Sequence, residues 1–301
     1  MFSLEMFGFR ALWSPNFFLF LLALLFLFFF VTHLKRNKFA DSEPLKRSEA
    51  VLFTLTIVLL YLTKGGPLDL MGHLMFYAHM IQMAVLYLVI PPLLVISIPT
   101  WLWRKILNHK VVKPLFHFFT KPLIALIIFN GMFSFYHIPL IFDTIKLSMW
   151  MHASYTAILF VFAIAMWWPL MNRIPEYQSL SGLKKVGYVF ADGILLTPAC
   201  ALIIFADTPM YATYSDPSVW MEALKLCVPA ATLTTLNLSG PEVFSSMSII
   251  DDQQLGGVIM KIIQEIVYGV VLAQIFFSWY RKEQSESEVD QNHLMNPRYV
   301  E

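Results

Sequence analysis

Histidine and methionine are the residues of this 301-residue chain best suited to chemistry, and they crowd into Met71-Gly72-His73-Leu74-Met75-Phe76-Tyr77-Ala78-His79-Met80-Ile81-Gln82-Met83. Two imidazoles and four thioethers within thirteen positions form a copper ligand set, because imidazole suits either oxidation state and the soft thioether favours Cu(I). On a helix Met75, His79 and Met83 are spaced i, i+4, i+8 and share one face. His73 stands six residues before His79, roughly 9 Å of rise and about 240° of rotation, so it joins that face only from outside the helix. Methionine also fills packing gaps in any helical bundle, and that plainer role competes with ligation at each of these positions.

Such a site needs a scaffold, and composition says which kind. With 58% hydrophobic and only 14% charged residues, the chain has too little polar surface to solvate a globule of its size. A polytopic membrane protein is expected. Cys200 and Cys227 are far apart and form no CxxC or CxxCH motif, which excludes a thioredoxin-like redox module and covalent haem attachment. A net charge of +1 gives no sign of a nucleic-acid partner.

Hydropathy predicts an all-α bundle of seven transmembrane helices near residues 17–32, 49–62, 70–98, 122–136, 150–170, 186–205 and 255–279. The shortest of these, 49–62, is expected to extend into its flanks. Pro91-Pro92 should kink or end the third helix. Residues 1–280 then form a single transmembrane domain, with 207–254 lying on the outer surface and 281–301 a polar, disordered cytoplasmic tail. Lys35, Arg36 and Lys38 follow the first apolar run directly, the reverse of a cleavable signal peptide. With the N-terminus outside and the C-terminus inside, sixteen of the 21 lysines and arginines fall in inner segments; Arg10, Lys64, Lys146, Lys225 and Lys261 do not. The cell membrane, spanned several times, is the expected location.

That topology sorts the histidines. His73, His79, His137 and His152 fall at the outer ends of helices 3, 4 and 5, and the spacing His137-x14-His152 suits a pair facing each other across a hairpin mouth. Asp251 and Asp252 open the last helix, where capping is the simplest role, and Gly256-Gly257 behind them permits close helix contact. Asp192 lies within the sixth span, and Lys261 and Glu265 are i, i+4 within the seventh, where they can neutralise each other. Trp101, Trp103, Trp167 and Trp168 read as inner-interface anchors. No phosphate-binding glycine loop, nucleophile elbow or zinc-protease motif occurs, so a non-enzymatic role is expected.

Several of these stretches together resemble one family. His79-Met80-x-x-Met83, Pro91-Pro92-Leu93-Leu94, Tyr136-His137-Ile138-Pro139, His152, Trp167-Trp168-Pro169-Leu170 and Asp252-Gln253-Gln254-Leu255-Gly256-Gly257 are similar to motifs of the CtaG assembly factors of cytochrome caa3-type oxidase. The resemblance implies an integral membrane protein needed for active cytochrome c oxidase. It implies binding or delivery of copper, with oxidase subunits and other copper chaperones as partners beside the lipid bilayer. Many members carry histidine where this chain has Met83. Together with the residue chemistry, this makes His79, Met83, His137 and His152 the candidate ligands, supported by His73, Met75, Met80, Asp251 and Asp252. The alternatives are a haem-handling membrane protein, with histidines as axial ligands, a scaffold for oxidase subunits without metal, and a seven-helix transporter or receptor-like protein using Asp192 and Glu265 on an ion or proton path.

Overall fold

A computed structural model describes residues 4–39, 41–236, 238–244 and 246–295, and these residues contain helices and no β-strand. After a short α1 (Phe9–Leu12), α2 (Pro15–Phe29) starts on a proline whose missing N–H is harmless at a helix N-terminus. α3 (Arg47–Lys64) opens with the Glu49 carboxylate accepting from the Lys46 N–H at 3.1 Å. It passes through Gly65-Gly66 into α4 (Pro67–Leu74), so the second span reaches from Arg47 to Leu74. Gly65 is required there, since a Cβ would lie 2.7 Å from the Tyr61 ring and 2.9 Å from Phe17.

The third span departs from expectation. It does not run unbroken from residue 70: Met75 adopts an extended backbone (φ −135°, ψ 138°), and α5 (Phe76–Ala84) begins after it. Leu70–Leu74 belong to the preceding helix, and Met75 therefore does not share the face of His79 and Met83. Below α5 a π-helical turn (Val85–Val89) leads into α6 (Ile90–Ser97). The cause is Pro91, which cannot donate to the Tyr87 carbonyl one turn back; that oxygen instead accepts from Trp167 Nε1 at 2.9 Å. Trp167 and Trp168 are thus fully buried, and Trp101 nearly so, in place of the interfacial anchors expected of them.

α7 (Thr100–Leu107) and α8 (Val112–Phe119) precede α9 (Pro122–Tyr136), and α8 with α9 makes a pair bent by 79°. α10 (Pro139–Lys146) then links α9 to α11 (Met149–Met171), and α12 (Gly182–Ile204) follows. The segment leading to the last helix holds the short α13 (Ala212–Ser215), α14 (Pro217–Leu224) and α15 (Ala230–Leu236). α16 (Ile249–Met295) crosses last and stays helical well beyond residue 281, where composition suggests disorder. The final six residues of the expected tail lie outside the described region. Among the described residues, six helices are long and apolar enough to cross a membrane, seven if the bent α8–α9 pair counts as one span.

The core lies between α5, α9, α11, α12 and α16. Gly256-Gly257 make a close helix contact within it. A Cβ on Gly256 would meet Phe76 Cδ1 at 2.8 Å and Tyr77 Cα at 3.1 Å, and one on Gly257 would meet Ile204 Cγ1 at 2.7 Å. Only glycine lets α16 approach α5 and α12 this closely.

Candidate functional site

The four histidines come from four helices whose ends this packing brings together. His73 ends α4, His79 lies one turn into α5, His137 caps α9 and His152 opens α11. All four are buried. His73 and His152 meet edge to face, ring centroids 5.6 Å apart. A Cβ on Gly72 would lie 3.4 Å from His79 Cα, so α4 lies directly against α5 beside His73. Electrostatic interactions reach His79 from Lys146, His137, His152 and His73.

Local chemistry sets the state of these rings. His137 Nδ1–H donates to the Phe133 carbonyl at 2.7 Å, and a carbonyl only accepts, so Nε2 carries the lone pair. That Nε2 is buried and has no hydrogen-bond partner, and His79 Nε2 and the Tyr136 hydroxyl share this condition. Burial pushes the His137 imidazole, just beyond its span, down to about 4, so it is neutral near pH 7. His73 makes the same kind of bond, Nδ1–H to the Asp69 carbonyl at 2.9 Å. Around His79 stand Phe142 at 5.2 Å, Tyr136 at 6.0 Å and Tyr214 at 6.4 Å between ring centroids.

Lys146 is the residue that sequence reasoning missed. Counted above only as a basic residue outside the inner loops, it is wholly buried. Its Nζ donates to the Gly72 carbonyl at 2.8 Å and to the Tyr214 hydroxyl, and lies 4.2 Å from the Tyr214 ring centroid. The Tyr214 O–H in turn donates to the same Gly72 carbonyl. Burial pulls the Lys146 ammonium down to about 7, Lys64 adding to this while Cys227, Asp69 and Asp143 oppose it. Gln82 is a second omission, its Nε2 donating to Asp69 Oδ1 at 2.7 Å and to the Thr63 carbonyl at 2.8 Å. Neither residue carries a local signal, since their partners are distant in the chain or ordinary backbone.

The other candidates are placed differently. Asp252 spends both oxygens on the Phe76 and Tyr77 N–H groups, 2.8 and 3.1 Å away. It caps α5, a helix remote in sequence, at the break created by Met75. Asp251 pairs with Ser248. Gln253 Oε1 accepts from the Met210 N–H at 2.8 Å and Gln254 Nε2 donates to the Ala206 carbonyl at 3.0 Å, so Asp252, Gln253 and Gln254 each hold backbone. Met80 and Met83 are buried in the central apolar cluster, and Met75 in a separate one with Leu70, Leu74 and Trp220. Among the described residues, no three His, Cys, Asp or Glu side chains are gathered closely enough to hold a metal ion together.

Fold and site thus describe a multi-pass helical membrane protein with buried, unsatisfied imidazoles where four helix ends meet. Residues 24–282 match the family model described as cytochrome c oxidase caa3 assembly factor, Caa3_CtaG, and the chain belongs to that family. No curated protein and no solved structure matches it.

Proposed function

We propose that this member of the oxidase assembly family carries copper as cargo, taking it up at His79, His137, His73 and His152 on the side expected to face outward. The observation that supports this most directly is the pair of buried Nε2 atoms, of His79 and His137, that have no partner. A buried ring nitrogen left unsatisfied is a standing penalty unless a partner takes it up, and on His137 that nitrogen is a lone pair. Copper(I) and copper(II) both accept imidazole nitrogen. His137 is already neutral near pH 7, so no proton has to leave it before it binds.

Lys146 favours a second reading. A positive charge beside the imidazoles opposes a metal cation, and it fits a scaffold that holds oxidase subunits without metal. Burial lessens that opposition, because near pH 7 a large fraction of Lys146 is neutral.

The test is copper content of the detergent-purified protein beside His79→Ala and His137→Ala, together with oxidase activity of membranes at scarce and supplemented copper. Copper in the parent, lost in both variants, with oxidase activity restored by added copper, is the expected outcome. No copper in the parent and full oxidase activity in both variants when copper is scarce would leave the scaffold. A Soret band in the purified protein would point to haem.

A further inference from the structure

A second polar feature lies on the lipid side of the bundle. α12 and α16 leave a groove between them of about 210 Å3, lined in part by Phe190, Gly193, Thr197, Lys261, Glu265 and Leu272. Glu265 is the central residue of the Ile249–Arg281 span, and Lys261 lies one turn before it. Their side chains pair at 2.9 Å, yet that of Glu265 is 64% exposed and that of Lys261 31%. Lys261 Nζ also donates to Thr197 Oγ1 at 3.3 Å. In this molecule such exposure means contact with hydrocarbon, and charged groups at mid-bilayer depth characteristically face protein or water. The ion pair cancels net charge. With the Thr197 bond, it engages one carboxylate oxygen and two of the three ammonium hydrogens, and leaves the rest of both groups to whatever fills the groove.

Tyr268 at the floor of the groove is buried against α12, while positions 262, 265, 266, 269 and 273 of α16 are exposed and recur every three or four residues, a stripe open to a neighbouring helix. One turn past Glu265, a Cβ on Gly269 would meet nothing within 4 Å, which leaves that edge open to close approach. A two-fold axis along the bilayer normal would set Lys261 against Lys261 and Glu265 against Glu265 at equal depth, so a second copy of this chain fits poorly.

We infer that the groove receives a transmembrane helix of the client oxidase, presenting an asparagine or glutamine side chain at mid-bilayer depth. A carboxamide accepts from Lys261 through its oxygen and donates to Glu265 through its nitrogen, satisfying both leftovers with one uncharged group. The inference rests on the family's assembly role and is independent of copper.

Photo-crosslinking in membranes of cells making the full chain tests it. A photoreactive residue at Ile194, which lines the groove, should give an adduct with an oxidase subunit identified by mass spectrometry; one at Leu123, equally exposed on α9, should not. Replacing the pair together, Lys261→Leu with Glu265→Leu, should lower the adduct yield about three- to fifteen-fold. The level of the chain should hold, because leucine sits well in lipid. The reversed pair, Lys261→Glu with Glu265→Lys, should keep the adduct, since a carboxamide can turn over. An Ile194 adduct with lipid alone or with a second copy, equal adducts from Leu123, or undiminished yield in the double leucine variant would overturn the inference. Loss of the adduct in the reversed pair would overturn the carboxamide. If the assembly role itself is wrong, deleting the whole chain leaves oxidase activity intact, whereas failure of the groove alone leaves that dependence in place. Failure of the copper reading appears separately, as unchanged copper content in the histidine variants.

Discussion

The bundle buries two groups of polar side chains, and they are finished differently. Midway along α12, Asp192 accepts from Asn130 Nδ2 at 2.6 Å and from the Tyr268 hydroxyl at 2.5 Å, so both carboxyl oxygens are occupied. The atoms left over there are neutral amides, Asn130 Oδ1 and the Gln264 side chain. Where the histidines meet, the atoms left over are imidazole nitrogens and the Tyr136 hydroxyl, beside a depressed lysine. A charge-bearing group with its bonds made ties helices together, while nitrogen lone pairs left open invite a ligand. The first group is accordingly architecture and the second a candidate for transfer chemistry.

The contrast breaks most readily at Asp192. Asp192→Leu strands the Asn130 and Tyr268 donors and should destabilise the bundle by about 2–4 kcal/mol. Thermal unfolding in detergent and a fall in chain level would register this, and a variant that stays stable but loses copper would reverse the assignment of the two groups. At the other pole His79→Ala should leave the fold intact while copper affinity drops by at least about 10–100-fold, the range seen when even a supporting residue is lost. Competition with a copper-chelating dye measures it. Between them lies the contact that holds α16 against α5. Gly256→Ala should cost about 1–3 kcal/mol, because the new methyl meets Tyr77 Cα as well as the Phe76 ring and only part of that strain can relax. Its effect on oxidase assembly should follow stability and should not respond to added copper.

A separate effect concerns Lys146 and pH. Its ordinary value is 10.5 and burial takes it to about 7, so between these pH values the unfolded chain binds a proton that the folded chain does not. Stability should therefore rise as pH increases from about 7 toward 10.5, and the penalty should be fully present below 7. Lys146→Met should flatten that rise, as thermal melts across pH 6–10 would show. An unchanged slope would mean that another group governs it.

Hydropathy alone determined the all-α, multi-pass class, because about 20 apolar residues in a row have no other stable home. The ion pair of Lys261 and Glu265 and the close approach at Gly256-Gly257 were equally legible, since helical spacing and the absence of a Cβ act locally. The break at Met75 was not. A methionine between two apolar stretches carries no stop signal, and the helix ends there because Asp252, some 176 residues away, supplies acceptors for the new N-terminus. Trp167 looked interfacial because its pairing with the carbonyl freed by Pro91 spans 80 residues. Lys146 looked like a surface charge for the same reason, its partners Gly72 and Tyr214 lying 74 and 68 residues off. Composition and periodicity report whether a side chain prefers water or lipid. Which carbonyl, hydroxyl or imidazole a buried polar group meets is decided only when distant helices pack.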